Sequence, residues 1–497
     1  MVEVASWPRE AAAPEAASGP REAVAGAEAV KRSPANKAVL VAACINSLCS
    51  LTVAASLCAF FPRVVARQAA GTAFDAGLVF AAYPLAGALA SPCVPALSRR
   101  VPRPAIVYFG IACTIFALLG FARASTIRTW VLWRLAQGAA GALVDVPMTG
   151  MLLTYTSDVA EDTGILEAVA GLAYTAAPAI GGALYEAFGD RATFEVLAAC
   201  QAVSLVVVPC VLRGVHSKEW AGFRGGAVSA VDEAPAARPK DAAQSAWLYL
   251  FRMPAVSIGM ATFAWSTAAL GFYDAANAQH EHATLSFTPV DVGLTFLVPA
   301  LAYAAVSPFA GTTIRAYGAR TPLVVGCVLW VLACLSWGPL PLKTPHVRAY
   351  VWLMLALNSA LIGPAIALMF QAPLPLARHF IDAHRARGVG PPSQAVDDTL
   401  AALQNAANSI GAVVGPLVGG FLVDRAPQLH EPGCRLHDGA KCHSGFLWGT
   451  VLFTLGFAAF VPLILTLVPS DSPNRKREDD EATDARLEPL LREATLI

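Results

Sequence analysis

Long apolar stretches, separated by short polar segments, constrain this chain more than any other feature of its sequence. A helix that crosses a bilayer needs about 20 apolar residues. Backbone in lipid must satisfy its own hydrogen bonds, which favours helices for runs of this length. We therefore predict an all-α membrane protein with twelve spanning helices, at residues 38–61, 76–97, 105–123, 129–153, 164–187, 192–213, 255–278, 289–311, 321–341, 349–373, 399–423 and 445–468.

Charged residues are too few for a soluble protein of this length. Only 14% of the 497 residues are charged, whereas soluble domains carry roughly 25%. The formal net charge is zero, so the overall charge does not suggest a nucleic-acid partner. The sequence contains no P-loop and no catalytic constellation, and we therefore expect neither an ATP-driven pump nor an enzyme, and neither a cofactor nor a metal site.

The distribution of Lys and Arg predicts the orientation of the chain. If the N-terminus is cytosolic, most of the 35 basic residues lie on the cytosolic side, which predicts that both termini are cytosolic. Residues 1–37 and 469–497 are polar and are predicted to be disordered tails. Residues 214–254 form a central cytosolic linker between two six-helix bundles, at 38–213 and 255–468.

Two landmarks recur at corresponding helices of the two bundles. The second and eighth spans each end in a Ser-Pro pair, followed seven residues beyond the Pro by Arg99 and Arg315. The fifth and eleventh spans each carry Pro-x-x-Gly-Gly, beginning at Pro178 and Pro416. Such repeats place a substrate site at their interface near mid-bilayer. The residues that we select for conformational or gating roles are Gly138, Gly141, Pro178, Gly181, Gly182, Gly415, Pro416, Arg99 and Arg315.

The fourth span carries two ionisable residues on one face. Charged groups are costly inside a bilayer and usually face a cavity. Arg134 and Asp145 are eleven residues apart, which is three helical turns or roughly 16 Å along the axis. Gln137 lies on or near the same face, so we predict that the three residues handle substrate or protons. A structural ion pair or polar contact that locks this span to a neighbour is the alternative.

Two further carboxylates fall within predicted spans. Asp274 follows Tyr273 in the seventh span, where it can bind an amine and a proton in alternation, and Tyr273 can add a cation–π contact. Glu167 lies in the fifth span, and the two carboxylates together suit a multiply charged cation. The alternatives are that Asp274 is solvated at the luminal mouth and that Glu167 stabilises a helix start.

Several motifs resemble known transporter families. The fourth span reads RLAQGAAG from Arg134, which is similar to the RxxQGxG signature of proton-coupled antiporters in the major facilitator superfamily. The segments 181–190, 271–275 and 408–424 resemble the vesicular amine transporter family, and Glu167 falls where its polyamine branch also has a Glu. The resemblance implies the major facilitator fold and proton-coupled antiport of an amine-like or polyamine-like cation by alternating access. It also implies an intracellular vesicle or vacuolar-type membrane.

The chain departs from these families at two places. The superfamily's loop after the second span reads G-x-x-x-D-R-x-G-R and helps to gate the cytosolic side, but Arg99 stands at the Asp position here. Arg315 replaces the Asp in the second copy, so loops 98–104 and 312–320 both lack the carboxylate of the usual gating salt bridge. The first-span Asp of monoamine carriers is also absent, and Asn46 is the best nearby polar candidate.

Two loop cysteines and two other functions complete the predictions. Cys434 and Cys442 lie in a polar loop predicted to be luminal or extracellular, where disulfides persist, and we predict a bridge between them, with unpaired thiols as the alternative.

We expect a monomer whose partners are the lipid bilayer, a small organic cation and protons. A plasma-membrane efflux carrier for drugs or metabolites stays open as an alternative, and so does a receptor or scaffold that does not transport.

Overall fold

Regular structure in the computed structural model of this protein is helical. The structure describes residues 33–69, 73–224, 246–285, 289–337, 348–385, 391, 393–425 and 444–468, and no strand occurs in these ranges. The terminal segments, most of the central linker and the predicted Cys434–Cys442 bridge lie outside the described residues.

Six helices form the first half of the protein. The segment Val159–Val211 holds two of them, because Gly189 has a φ of 76° and interrupts the helical backbone. This left-handed conformation favours glycine, which has no Cβ atom. The helices are α1 (Pro34–Ala69), α2 (Ala73–Ala90), α3 (Arg103–Arg123), α4 (Ile127–Tyr155), α5 (159–188) and α6 (190–211).

Six further helices form the second half. They are α7 (Pro254–Leu285), α8 (Pro289–Tyr317), α9 (Arg320–Trp337), α10 (Arg348–Gln371), α11 (Ser393–Arg425) and α12 (Ser444–Leu467). The prediction of an all-α protein with twelve long helices is therefore confirmed. Two shorter helices are used below: the linker helix (Arg213–Arg224), which follows α6, and the loop helix (Pro373–Arg385), which follows α10.

Most of these helices are long and apolar enough to cross a membrane. Nine stretches within the described residues meet that standard, and the shorter stretch Arg320–Ser336 is also apolar. Helix α4 is not among the nine, because Arg134, Gln137 and Asp145 lower its hydropathy. A helix with ionisable residues at membrane depth is expected to face a cavity or a neighbouring helix rather than lipid.

Aromatic side chains pack the interior of each half. In the first half, the ring of Phe61 lies 5.2 Å from Phe121 and 5.4 Å from Trp130. In the second half, Trp330 stacks on Phe457 at 5.3 Å. Each cluster joins helices within one half.

The two halves meet along α2 with α11 and along α5 with α8. The helices approach closely at both seams. A Cβ atom at Gly311 of α8 would lie 3.1 Å from the carbonyl carbon of Ala160 in α5, and one at Gly87 of α2 would lie 3.0 Å from Oγ of Ser409 in α11. Helix α2 ends, and α3, α5, α7 and α11 begin, at the face from which the central linker leaves. We call this the linker face, and it is the side predicted to be cytosolic.

Candidate functional site

Arg134 of α4 is buried beneath an aromatic ring. Its side chain is 3% exposed, and Nη1 donates a hydrogen bond of 2.8 Å to Oε1 of Gln137. The guanidinium lies 5.0 Å from the ring centroid of Tyr83 in α2, within the range of a cation–π contact. Arg134 is therefore held by Gln137 and Tyr83.

Two glycines of α4 form the seat for Tyr83. A Cβ atom at Gly141 would lie 2.6 Å from the Tyr83 hydroxyl, and one at Gly138 would lie 2.8 Å from its carbonyl carbon. Both distances are too short for a side chain, so Gly138 and Gly141 are needed for the packing of α2 on α4. Their predicted conformational role stays a prediction. Tyr83 also lies within electrostatic range of both Arg134 and Asp145.

Glu167 lies deeper in its helix than the sequence predicted. Helix α5 begins at Val159 rather than near residue 164, because Oδ1 of Asp158 caps it by accepting a hydrogen bond of 3.0 Å from the Glu161 amide. Glu167 is consequently in the third turn, and the alternative of a helix-start carboxylate does not apply. The hydroxyl of Tyr303 in α8 donates a hydrogen bond to Oε2 of Glu167, which links the two halves.

Tyr303 is held firmly by the residues around it. A Cβ atom at Gly171 of α5 would lie 2.8 Å from the Tyr303 ring, and one at Gly363 of α10 would lie 2.7 Å from its backbone nitrogen. The ring of Phe370 lies 6.5 Å away, at 72° to the tyrosine ring. This packing fixes the direction in which the hydroxyl of Tyr303 reaches Glu167.

Asp274 of α7 faces the space between the halves. Gly271 packs on Pro416 of α11, Phe272 stacks on Phe446 of α12 at 5.7 Å, and Tyr273 packs edge-on against Phe296 of α8 at 5.7 Å. Each helical residue turns by about 100°, so Asp274 points between α8 and α11. These two helices make most of the contacts with the first half, and the Asp274 side chain is exposed.

Tyr273 and Asn46 do not join this group. Tyr273 is 7% exposed and belongs to the core of the second half, which does not support its predicted cation–π contact with substrate. Asn46 of α1 is buried, and its Oδ1 accepts a hydrogen bond of 3.4 Å from Nε2 of Gln201 in α6. Asn46 therefore lies at a contact inside the first half.

The ionisable residues fall into two tiers. At 1.5 Å per residue, Asp145 lies roughly 15 Å along α4 from the linker face and Glu167 roughly 12 Å along α5. Arg134 and Asp274 both lie roughly 30 Å from that face along their helices. These four residues comprise three carboxylates and one guanidinium, and the carboxylates Asp145 and Glu167 are the two that lie closer to the linker face.

The predicted hinge positions pack closely against neighbouring helices. A Cβ atom at Gly181 would lie 2.7 Å from Cβ of Ser56 in α1, and one at Gly415 would lie 2.8 Å from the Phe272 amide nitrogen in α7. A Cβ atom at Gly182 would meet no other part of the structure within 4 Å, and α5 and α11 continue through Pro178 and Pro416. Close packing accounts for Gly181 and Gly415, and bending remains a prediction.

A buried ion-pair network joins the two halves at the linker face. Nη2 and Nε of Arg103 donate to the two carboxylate oxygens of Glu219 in the linker helix, at 2.5 and 3.1 Å. Nη1 of Arg103 lies 3.3 Å from Oδ1 of Asp398 in α11, across the boundary between the halves. On the α11 side, Arg378 and Arg385 of the loop helix pair with Asp397 at 2.8 and 3.3 Å.

The second altered loop also makes a cross-half contact. Nη1 of Arg315 lies 3.2 Å from carboxylate oxygens of both Asp158 and Glu161 at the start of α5. The loops that lack the usual Asp therefore still pair across the halves. Arg99 caps the short helix Val94–Ser98, which follows α2, and no ion pair to Arg99 is found within the described ranges.

Sequence reasoning missed the network around Arg103. One signal was present: Arg103 occupies the last Arg of the loop motif, four residues after Arg99. The partners Glu219 and Asp398 are 116 and 295 residues away in sequence, so spacing alone does not connect them. No set of three or more His, Cys, Asp or Glu residues in the described part of the chain is arranged to hold a metal ion.

Comparison with known proteins shows what the chain is similar to. A family model described as the Major Facilitator Superfamily matches residues 43–371 and 275–494. The chain is 24% identical over 414 residues to the MFS-type transporter SLC18B1 of Rattus norvegicus and 24% identical over 410 residues to that of Homo sapiens. Both alignments cover 78% of this chain and 80% of the relative.

A fungal relative and a solved structure extend the comparison. The MFS-type transporter ppzB of Metarhizium majus is 25% identical over 311 residues, which cover 54% of this chain and 66% of that protein. The crystal structure of the human organic anion transporter MFSD10 (TETRAN) superposes with a TM-score of 0.59 at 15% identity. That match covers 86% of this chain and 99% of the other, and at this identity it shows the fold alone.

Proposed function

Since the chain belongs to the Major Facilitator Superfamily, we propose that this multi-pass membrane transporter exchanges an organic cation for protons. The cation is amine-like or polyamine-like, and exchange proceeds by alternating access. The observation that carries the proposal is the charge of the interior. Asp145, Glu167 and Asp274 supply three carboxylates, whereas Arg134 is already engaged with Gln137 and Tyr83.

Exchange follows if a cation and a proton compete for the same carboxylate. A protonated carboxyl group has lost the charge that attracts an ammonium group, so proton binding from the acidic side releases the cation. On the other side, the deprotonated carboxylate binds the next cation. Asp274 faces the space between the halves, and Glu167 lies where the halves touch. In this proposal, binding of a cation or a proton at these carboxylates changes how α5 packs against α8.

The closed linker face supports alternating access. The cross-half contacts described above run from the middle of α5 and α8 to the linker face. In the proposed cycle, the state in which these contacts hold is the one whose site opens to the opposite face. We place the linker face in the cytosol because most Lys and Arg residues lie on that side. We place the protein in an intracellular vesicle or vacuolar-type membrane.

The interior charge favours a cation over the other candidates. MFSD10 is named an organic anion transporter, and an anion would be repelled by three carboxylates. A plasma-membrane efflux carrier differs from this proposal mainly in its location, which imaging of a tagged protein decides. A scaffold that does not transport would have no need for the ionisable residues of α4, α5 and α7.

Uptake by purified protein in proteoliposomes tests the proposal. We expect a proton gradient, acidic inside, to drive uptake of a labelled linear amine, and Asp274→Asn or Glu167→Gln to reduce this uptake at least tenfold. Glu195→Gln is the control, since Glu195 lies in an exposed ion pair with Arg191. Gradient-driven uptake of a neutral or anionic solute, with none of any amine, would contradict the proposal.

A further inference from the structure

Polar side chains from three helices converge beside Glu167. Tyr303 and Ser307 lie one turn apart on the same face of α8, and Gln371 ends α10. A Cβ atom at Gly164, one turn before Glu167, would lie 3.3 Å from Oε1 of Gln371 and 3.4 Å from the carbonyl oxygen of Ser307. Helices α5, α8 and α10 therefore meet at one point, one turn from the Glu167 carboxylate.

Two of these side chains are buried, and one of them, Gln371, makes no hydrogen bond within the described part of the chain. Ser307 is 0% exposed and Gln371 is 1% exposed. Neither amide atom of Gln371 has a hydrogen-bond partner in the described part of the chain, whereas the Ser307 hydroxyl lies close enough to the Tyr303 hydroxyl to hydrogen-bond with it. Buried polar groups are almost always satisfied, and a buried amide with both of its polar atoms unsatisfied calls for an explanation. A bound ligand that donates a hydrogen bond to the amide oxygen is one explanation.

We infer that Glu167, Ser307 and Gln371 form a subsite for the terminal primary ammonium group of the transported cation. This inference rests on the proposed function and narrows its substrate class. A primary ammonium has three N–H donors, and the subsite offers three kinds of acceptor: a carboxylate, a hydroxyl oxygen and an amide oxygen. The carboxylate supplies the opposite charge, and Tyr303 holds it in place through its hydroxyl.

The chemistry of the three acceptors predicts selectivity. A quaternary ammonium has the same charge but no N–H to donate, so only the charge of Glu167 stabilises its binding. No hydrogen bond holds the Gln371 amide in its present orientation within the described residues, so it can turn its oxygen toward an incoming donor. The subsite therefore distinguishes primary amines from their fully methylated analogues.

The position of the subsite connects it to the linker face. Glu161, which pairs with Arg315, lies six residues before Glu167 on α5, and Arg315 lies eight residues after Ser307 on α8. The same two helices thus carry the subsite and, roughly two turns below it, an ion pair that closes the linker face. A cation in the subsite would reach the linker face once α5 and α8 separate at that pair.

Equilibrium binding to purified protein tests the inference. The probes are labelled 1,4-diaminobutane and its bis-trimethylammonium analogue. We expect Gln371→Leu to weaken binding of the diamine by about tenfold or more, since a hydrogen bond to a charged group is lost, and to leave the methylated analogue unchanged. Ser307→Ala should also weaken diamine binding. Gln371→Glu should tighten diamine binding, because it adds a second carboxylate.

A matched control separates this effect from a general loss of structure. Gln201 of α6 is also a buried glutamine with an unpartnered Oε1 within the described residues, and Gln201→Leu should leave diamine binding unchanged. Equal losses for both probes, or diamine binding unaffected in Gln371→Leu, overturn the subsite while the proposed function stands. If the unmodified protein binds neither probe, the proposed function fails as well.

Discussion

The guanidinium of Arg103 lies between two carboxylates that belong to different halves of the molecule. Glu219 binds it from the same half, in a fork of two hydrogen bonds, and Asp398 approaches it from α11. When the halves separate, Glu219 can remain with Arg103, so a buried charge need not lose every partner. The charge of Asp397 is likewise balanced within its own half, by arginines of the loop helix.

Removal of Arg103 should be strongly destabilising. Arg103→Ala leaves Glu219 and Asp398 buried without their partner, and breaking a buried pair costs about 3–5 kcal/mol. Thermal unfolding in detergent measures the loss. Arg191→Ala is the control, since its side chain is 66% exposed and such a pair contributes about 1 kcal/mol or less. Equal stability of the two variants would show that the Arg103 network does not stabilise the fold.

Single residues differ in how clearly the sequence marks them as candidates. Arg134, Asp145, Glu167 and Asp274 could be selected from sequence because a charge inside an apolar run is conspicuous. The direction of Tyr273 could not be predicted, because it depends on which helix α7 packs against. No sequence pattern marks Gln371 as a binding residue, because its burial beside Glu167 depends on how α5, α8 and α10 pack together.

At the scale of helices, glycines decide how closely α2 and α4 approach. The RLAQGAAG segment resembles an antiporter signature. Its two glycines leave the space in which the backbone and the hydroxyl of Tyr83 pack. The sequence predicted their positions but not this partner. The start of α5 was misplaced by five residues, because the capping bond from Asp158 extends the helix beyond its apolar run.

Adding a methyl group at the α2–α4 contact should separate the two helices. Gly138→Ala places a Cβ atom 2.8 Å from the backbone carbonyl carbon of Tyr83, and overpacking of this kind costs about 1–3 kcal/mol. The unfolding midpoint should fall. Gly182→Ala makes the same change where nothing lies within 4 Å, and it should be neutral or slightly stabilising. A similar fall in both variants would contradict the packing explanation.

At the scale of the whole molecule, the described residues include two cross-half ion-pair contacts of different strength at the linker face. Arg103 and Asp398 are buried, whereas the Arg315 side chain is 42% exposed, so solvent weakens its pairs with Asp158 and Glu161. The sequence predicted that loops 98–104 and 312–320 lack the usual carboxylate. It could not predict that acidic residues at the starts of α11 and α5 supply the pairing instead.

Loss of the buried pair should shift the protein toward a state that is open at the linker face. Asp398→Asn weakens the contact between Arg103 and α11, so a cysteine introduced at buried Ser98 in a cysteine-free background should react faster with an impermeant maleimide. Asp382→Asn is the control, since Asp382 is 51% exposed and pairs only within the loop helix in the described contacts. Unchanged labelling in Asp398→Asn would show that this pair does not hold the face closed.

The exchange of cations for protons is tested most directly by the pH inside acid-loaded proteoliposomes. A trapped pH-sensitive dye reports the internal proton concentration when 1,4-diaminobutane is added outside. The proposed mechanism predicts a rise in internal pH that depends on the protein, saturates with the amine and is lost in Asp274→Asn. An internal pH no different from that of protein-free liposomes, while labelled 1,4-diaminobutane still enters through the protein, would contradict proton-coupled exchange.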